Sequence, residues 1–256
     1  MTGPRGAGGA VAVVIPACDE QDLLPAALAS VRTAAEHPDL ASVHVLTVVA
    51  ADCCTDATAD LARAAGALVV PVRFRNVGRA RAAGVRAALS VLGDAPGGVW
   101  IASTDADSTV RADWLAFQLA CAAEGWEAVV GTVSVDRWPV DRPGLAARYQ
   151  RLYEVSRPRA GHVWRHPHVH GANLGVSSRA YAAAGGFPPV PLDEDRGLVD
   201  ALERTGAPVL RTSACPVTTS ARMRPRARGG FGDHLAGLDR FTVPAVAVEP
   251  EEEAAG

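Results

Sequence analysis

The sequence predicts an α/β fold: a mostly parallel central sheet, Rossmann-like, with helices on both faces. Short β-branched runs alternate with stretches of helical periodicity from Val11 to Ser103, the pattern that arises when each strand is followed by a crossover helix. The chain has 256 residues, 48% hydrophobic and 21% charged, enough globular material to bury a sizeable core. Polar clusters follow three of the first four apolar runs, where ligands sit in such sheets.

Val11 to Ile15 reads as the first strand, stopped by Pro16, and apolar spacing predicts a helix from Asp22 to Ala35. Val43 to Ala50 is a second strand, Thr55 to Ala65 a helix with a capping residue, and Ala67 to Val72 a third strand. A helix from Arg79 to Leu92 and a strand from Val99 to Ser103 complete the regular half. Beyond it, Ala112 to Ala123 and Leu145 to Val155 read as helices flanking a strand from Ala128 to Val135. Gly161 to Gly175 is too rich in Gly, His and Pro for a helix. Asp193 to Thr205 is a helix started by acids, followed by two short strands, Pro208 to Arg211 and Pro216 to Thr219, and by a last helix from Gly229 to about Arg240. No repeat or linker divides the chain. Residues 11–240 are expected to form one domain, between a flexible Gly-rich start at 1–10 and a disordered acidic tail at 241–256.

Composition narrows the function. The net charge of -3 gives no global basic field for nucleic acid. Neither an apolar run of about 18 residues nor a signal-peptide core is present, so a cytoplasmic protein without transmembrane segments is expected. The five cysteines form no CxxC pair and are expected to be reduced thiols. All 25 basic residues are Arg.

The apolar run Val99 to Ser103 leads into Thr104-Asp105-Ala106-Asp107. Two carboxylates one residue apart at a strand's end can hold Mg²⁺ or Mn²⁺ while leaving positions open for substrate phosphates. The same residues can also solvate a turn and cap the next helix. The polar clusters Cys18-Asp19-Glu20 and Asp52 to Asp56, at the ends of neighbouring strands, favour a site.

Val13-Val-Ile-Pro-Ala-Cys-Asp-Glu20, Ala51-Asp-Cys-Cys-Thr-Asp-Ala-Thr58, Gly78-Arg-Ala-Arg-Ala-Ala-Gly84, Thr104-Asp-Ala-Asp107, His170-Gly-Ala-Asn-Leu-Gly175, Gly185-Gly-Phe-Pro188 and Leu192-Asp-Glu-Asp195 occur in this order. The ordered set resembles the family 2 glycosyltransferases, enzymes of the GT-A fold. The resemblance implies a metal-dependent transferase, using Mg²⁺ or Mn²⁺, that moves one hexose from a nucleoside diphosphate sugar to a hydroxyl acceptor. It places Pro16, Ala17, Glu20 and Asp52 at the base and ribose, and Arg81 near the diphosphate. It also places Asp105 and Asp107 (the DXD motif) at the ribose edge and cation, and Gly171, Ala172 and Asn173 at the sugars. Asp195 would be the base, preceded by Glu194, and the product would be inverted. Helix-start acids favouring the dipole are the other reading of this pair. Ala51 stands where many members have an Asp, and Cys18 where some have an aromatic. Both departures weaken the uridine assignment; a UDP-sugar is still favoured, with guanosine and thymidine donors left open. The Gln-x-x-Arg-Trp motif of processive synthases is absent, which favours a single transfer.

His162, His166, His168 and His170 suit a loop over the acceptor better than zinc, and His170 or His234 is a candidate third metal ligand. The run Arg222, Arg224, Arg226, Arg228 can close over a diphosphate, meet a phosphorylated acceptor or a lipid phosphate at a membrane surface, or be a solvated loop. A nucleotidyltransferase would need a Gly-rich loop with a Lys after the first strand, which this chain lacks. A non-catalytic sugar-nucleotide sensor with the same fold is the alternative from another class.

Overall fold

The computed structural model describes residues 9–93, 95, 97–136, 138, 144–155, 166–222 and 237. Apart from Gly9, Ala10 and Gly237, the expected flexible start, the acidic tail and the helix from Gly229 lie outside these residues, as do His162, His234 and the Arg run beyond Arg222.

Among the described residues, eight strands form one sheet, in the order β3-β2-β1-β4-β7-β6-β8-β5. The alternation in the sequence lays down the first half. β1 (Ala10–Ala17), β2 (His44–Asp52), β3 (Leu68–Val72) and β4 (Val99–Ser103) are parallel. They are joined through α1 (Leu24–Ala35), α2 (Thr58–Ala64) and α3 (Val77–Leu92). Successive side chains of a strand face opposite ways, and β1 uses both faces. Val11, Val13 and Ile15 pack with Leu24, Leu28 and Val31 of α1, whereas Ala12 clusters with Ala88, and Val14 with Val85, of α3. Every β1 residue except Pro16 is buried.

Pro16 does not stop β1 as expected. It stays in register opposite Ala50, while pairing with β4 ends at Val14 and Ser103. Val14 directs its carbonyl to Thr104 on that side, so the donor missing from Pro16 would point past the end of β4, where no ladder bond is lost.

In the second half the sheet turns mixed. β5 (Ser108–Thr109), α4 (Trp114–Ala123), β6 (Ala128–Asp136), α5 (Leu145–Val155), β7 (Leu174–Ser177), α6 (Ser178–Ala183), α7 (Glu194–Arg204) and β8 (Val209–Ser220) follow in order. β7 runs antiparallel between β4 and β6. β5, β7 and α6, of two, four and six residues, were not anticipated because they are too short for periodicity to register.

The two strands expected on either side of Cys215 are one strand, β8, with a bulge. Its pairing with β6 steps from Gly131 opposite Thr212 to Val133 opposite Val217. Asn173 fastens this irregularity. Its Nδ2 donates to the carbonyls of Thr132 and Cys215, both at 2.9 Å, and its Oδ1 accepts from Trp114 Nε1 at 2.9 Å. All of this is buried, so Asn173→Ala leaves three polar groups without partners. Urea unfolding of that variant is expected to show a loss of about 3 kcal/mol; a stability equal to the parent would contradict the role.

Candidate active site

The carboxyl ends of β1, β2 and β4 bring the three polar clusters to one edge of the sheet. Asp19 and Cys53 take left-handed backbone, φ 51° and 57°, and the turns after β1 and β2 are stitched together. Asp19 Oδ1 accepts from the amides of Thr55 at 2.7 Å and Asp56 at 3.3 Å. Thr58 Oγ1 accepts from the Glu20 amide at 2.7 Å, and Cys54 Sγ donates to the Ala17 carbonyl at 3.3 Å. Pro16, Ala17 and Glu20 thus belong to one rigid wall.

Asp52, expected at a nucleotide base, is 5% exposed. Its buried carboxylate accepts from the amides of Phe74 at 2.6 Å, Arg75 at 3.0 Å and Asn76 at 2.9 Å. It therefore holds the turn that starts α3, where Asn76 caps the helix by accepting from Arg79 N at 2.8 Å.

Arg81, expected at a diphosphate, is 3% exposed. Nη1 donates to Glu194 Oε1 at the start of α7, and Nη2 donates to Asp105 Oδ1 beyond β4. Burial works against its charge, but Asp105, Glu194 and Asp195 outweigh that and raise its pKa. Two glycines make room: a Cβ on Gly171 would lie 2.3 Å from Arg81 Nη1, and one on Gly78 would lie 2.8 Å from Glu194 Cβ. Burial raises the pKa of Glu194, against the pull of Arg81. This carboxylate is thus an ion-pair partner inside the protein, whereas Asp195 remains partly accessible. Asp195 Oδ2 accepts from the Gly171 amide, and Oδ1 from the Arg196 amide, each at 2.7 Å. Gly171, Ala172 and Asn173 form a buried 3₁₀ turn, with the Asn173 side chain engaged in the core.

Asp107 accepts from Ser220 Oγ at 2.9 Å and lies 3.5 Å from Arg222 Nη2. Arg222 also forms a two-pronged pair with Glu20, 2.6 Å at each prong. The pairing with Glu20, 202 residues away, had no local signal in the sequence; the alternating Arg run was the signal that pointed to Arg222. Burial, and then Asp105, raise the pKa of Asp107, against the hydrogen bond from Ser220 and the charge of Arg222.

His166 is fully buried, its ring nitrogens facing the carbonyls of His168, Val130 and Thr212 at 3.0 to 3.1 Å. The only three-residue cluster of potential metal ligands among the described residues is Asp19, Cys54 and Asp56, and it includes no histidine.

The model of glycosyl transferase family 2 matches residues 12–181. The chain belongs to this family. No curated protein sequence matches it, but several solved glycosyltransferases share its fold. TarS of S. aureus (residues 1–349) aligns at a TM-score of 0.58 and 12% identity, over 82% of this chain and 60% of that one. Glucosyl-3-phosphoglycerate synthase of Mycobacterium tuberculosis, solved with Mn²⁺, UDP-glucose and phosphoglyceric acid, aligns at 0.51 and 20%, over 90% and 75%. The mannosyltransferase PcManGT of Pyrobaculum calidifontis, solved with GDP-Man and Mn²⁺, aligns at 0.61 and 19%, over 84% and 58%. At these identities the likeness is one of fold, and this chain spans 60% of the TarS chain.

Electrostatics tests whether a cation fits. Glu20, Asp105, Asp107, Glu194 and Asp195 gather around two guanidiniums, those of Arg81 and Arg222, leaving surplus negative charge at Asp107 that a divalent cation can neutralise. Without the cation, ionising Asp107 in the fold is costly. Its folded pKa is raised, so its contribution to stability is full below the usual carboxylate range and is lost as pH rises through the folded value. In chelator, Asp107→Asn is expected to melt above the parent at pH 7.5, with an advantage that shrinks towards pH 4. An advantage that grows on acidification would contradict the environment described.

Proposed function

We propose that this glycosyltransferase moves a single hexose from a nucleoside diphosphate sugar, UDP-sugars being favoured, to a hydroxyl-bearing acceptor, with inversion. Asp107 and Asp105 would hold Mn²⁺ or Mg²⁺. The observation that carries this reading is the Arg81 bridge. It ties the acids beyond β4 to the start of α7, so that a donor held at Asp105 and Asp107 meets the Asp195 carboxylate across one buried guanidinium. Neighbours of the same fold solved with UDP-glucose or GDP-Man and Mn²⁺ support the donor class and the metal. No helix among the described residues is long and apolar enough to cross a membrane, and the missing processive motif fits single transfer.

In this reading the wall of Pro16, Ala17 and Glu20 takes the base and ribose, and Asp52 supports it from behind through the Phe74 to Asn76 turn. A divalent cation held there would supply neutralisation of charge on the departing diphosphate. Asp195 takes the proton of the acceptor hydroxyl, its carboxylate aimed by the amides of Gly171 and Arg196. The hydroxyl oxygen then bonds to the anomeric carbon as the bond to the diphosphate oxygen breaks and that oxygen keeps the electron pair. One such displacement inverts the carbon. Glu194 positions α7 through Arg81 and takes no proton.

Transfer from UDP-sugars, GDP-sugars and dTDP-sugars with Mn²⁺, scored by nucleoside diphosphate release, tests the reading. Asp195→Asn is expected to lower kcat about a thousandfold while still being stabilised by the donor in a thermal melt. Turnover near the parent's would remove Asp195 from the chemistry.

A further inference from the structure

Among the described residues, Arg222 is the one cation in the site that the transfer chemistry above leaves without a role. It stands two residues past Ser220, the hydroxyl that bonds Asp107, and it opens the alternating Arg run. Its guanidinium grips Glu20 with both prongs at 2.6 Å and reaches Asp107 Oδ2 at 3.5 Å. The side chain is only 22% exposed. Its hydrogen bonds to the Glu20 carboxylate, opposed by burial, raise its pKa, and so do the charges of Glu20 and Asp107. It therefore serves as a fixed positive charge on the carboxylate that would otherwise be short of a counter-ion.

A divalent cation needs that same carboxylate. Two positive groups at ion-pair range of one oxygen repel, and even at high dielectric this amounts to an affinity change on the order of tenfold for a dication. We propose that Arg222 and the divalent cation compete for Asp107, with Arg222 setting how tightly the metal binds before any nucleotide arrives. The inference rests on the donor-site reading of Asp107. Arg222 is a positioning residue in this account: it holds the acids of the β1 turn and the β4 turn together when no cation is bound, and it must withdraw from Asp107 when one enters. The guanidinium released in this way stands beside the place where the donor phosphates are expected.

Binding of Mn²⁺ to the nucleotide-free protein, followed by the loss of the free-ion signal in electron paramagnetic resonance, tests this without turnover. Arg222→Gln keeps a hydrogen-bonding group near Glu20 and is expected to bind Mn²⁺ about tenfold more tightly, whereas Arg222→Lys stays close to the parent. The double variant Glu20→Gln/Arg222→Gln removes one charge of each sign, and competition predicts that it still binds several-fold more tightly than the parent. Equal or weaker binding by Arg222→Gln, or a return of the double variant to the parent's affinity, would overturn the proposal. Asp107→Asn separates the two readings. If it abolishes Mn²⁺ binding while Arg222→Gln changes nothing, the donor site stands and the competition fails. If it leaves binding intact, the donor site and the competition fail together.

Discussion

The site depends on one guanidinium taken out of water. Burying an ion costs several kcal/mol, and only close opposite charges return it, so removing one partner of a buried pair typically costs about 3 to 5 kcal/mol. Arg81 meets this constraint by touching two carboxylates from opposite sides of the site, Asp105 beyond β4 and Glu194 at the start of α7. Both must stay where they are for the charge to be tolerated. Gly78 and Gly171 follow from the same constraint, since any side chain there would occupy the space of the ion pair. Because the amide of Gly171 also holds Asp195, the position of the proposed base is set by the group that fixes the donor-side acid.

The site thereby separates its acids by environment. Glu194 and Asp195 are adjacent in sequence and differ in fate: one is buried on Arg81, the other stands partly open with both oxygens held by backbone amides. Asp105 and Asp107 differ likewise, the first tied to Arg81 and the second to Ser220 and Arg222. In each pair a positioning acid lies beside one suited to chemistry or to a cation. Chain order alone does not tell which is which.

This marks the limit of what the sequence discloses. The parallel half, from β1 to β4, was legible because each strand and helix is long enough to show its period, and because β1 is buried on both faces. The edge that carries the acids was legible for the same reason, since local polar clusters end those strands. The partners were not. Nothing local to Asp52 announced its three bonds to amides 22 to 24 residues away. Arg81 and Glu194 are 113 residues apart, and nothing local distinguishes a buried Arg on α3 from a solvated one. Asn173 carried a motif signal and proved to fasten the β8 bulge, itself hidden because two runs separated by Thr212 to Cys215 look like two elements. Pairings of this kind are properties of the folded sheet.

A crystal structure of the Asp195→Asn protein with Mn²⁺ and an intact nucleoside diphosphate sugar tests the central claim most directly. The account predicts the cation on Asp107, the diphosphate beside it, and Arg81 still bridging Asp105 and Glu194 out of reach of the phosphates. A cation bound elsewhere, or Arg81 turned outward onto the diphosphate with Glu194 released, would contradict it.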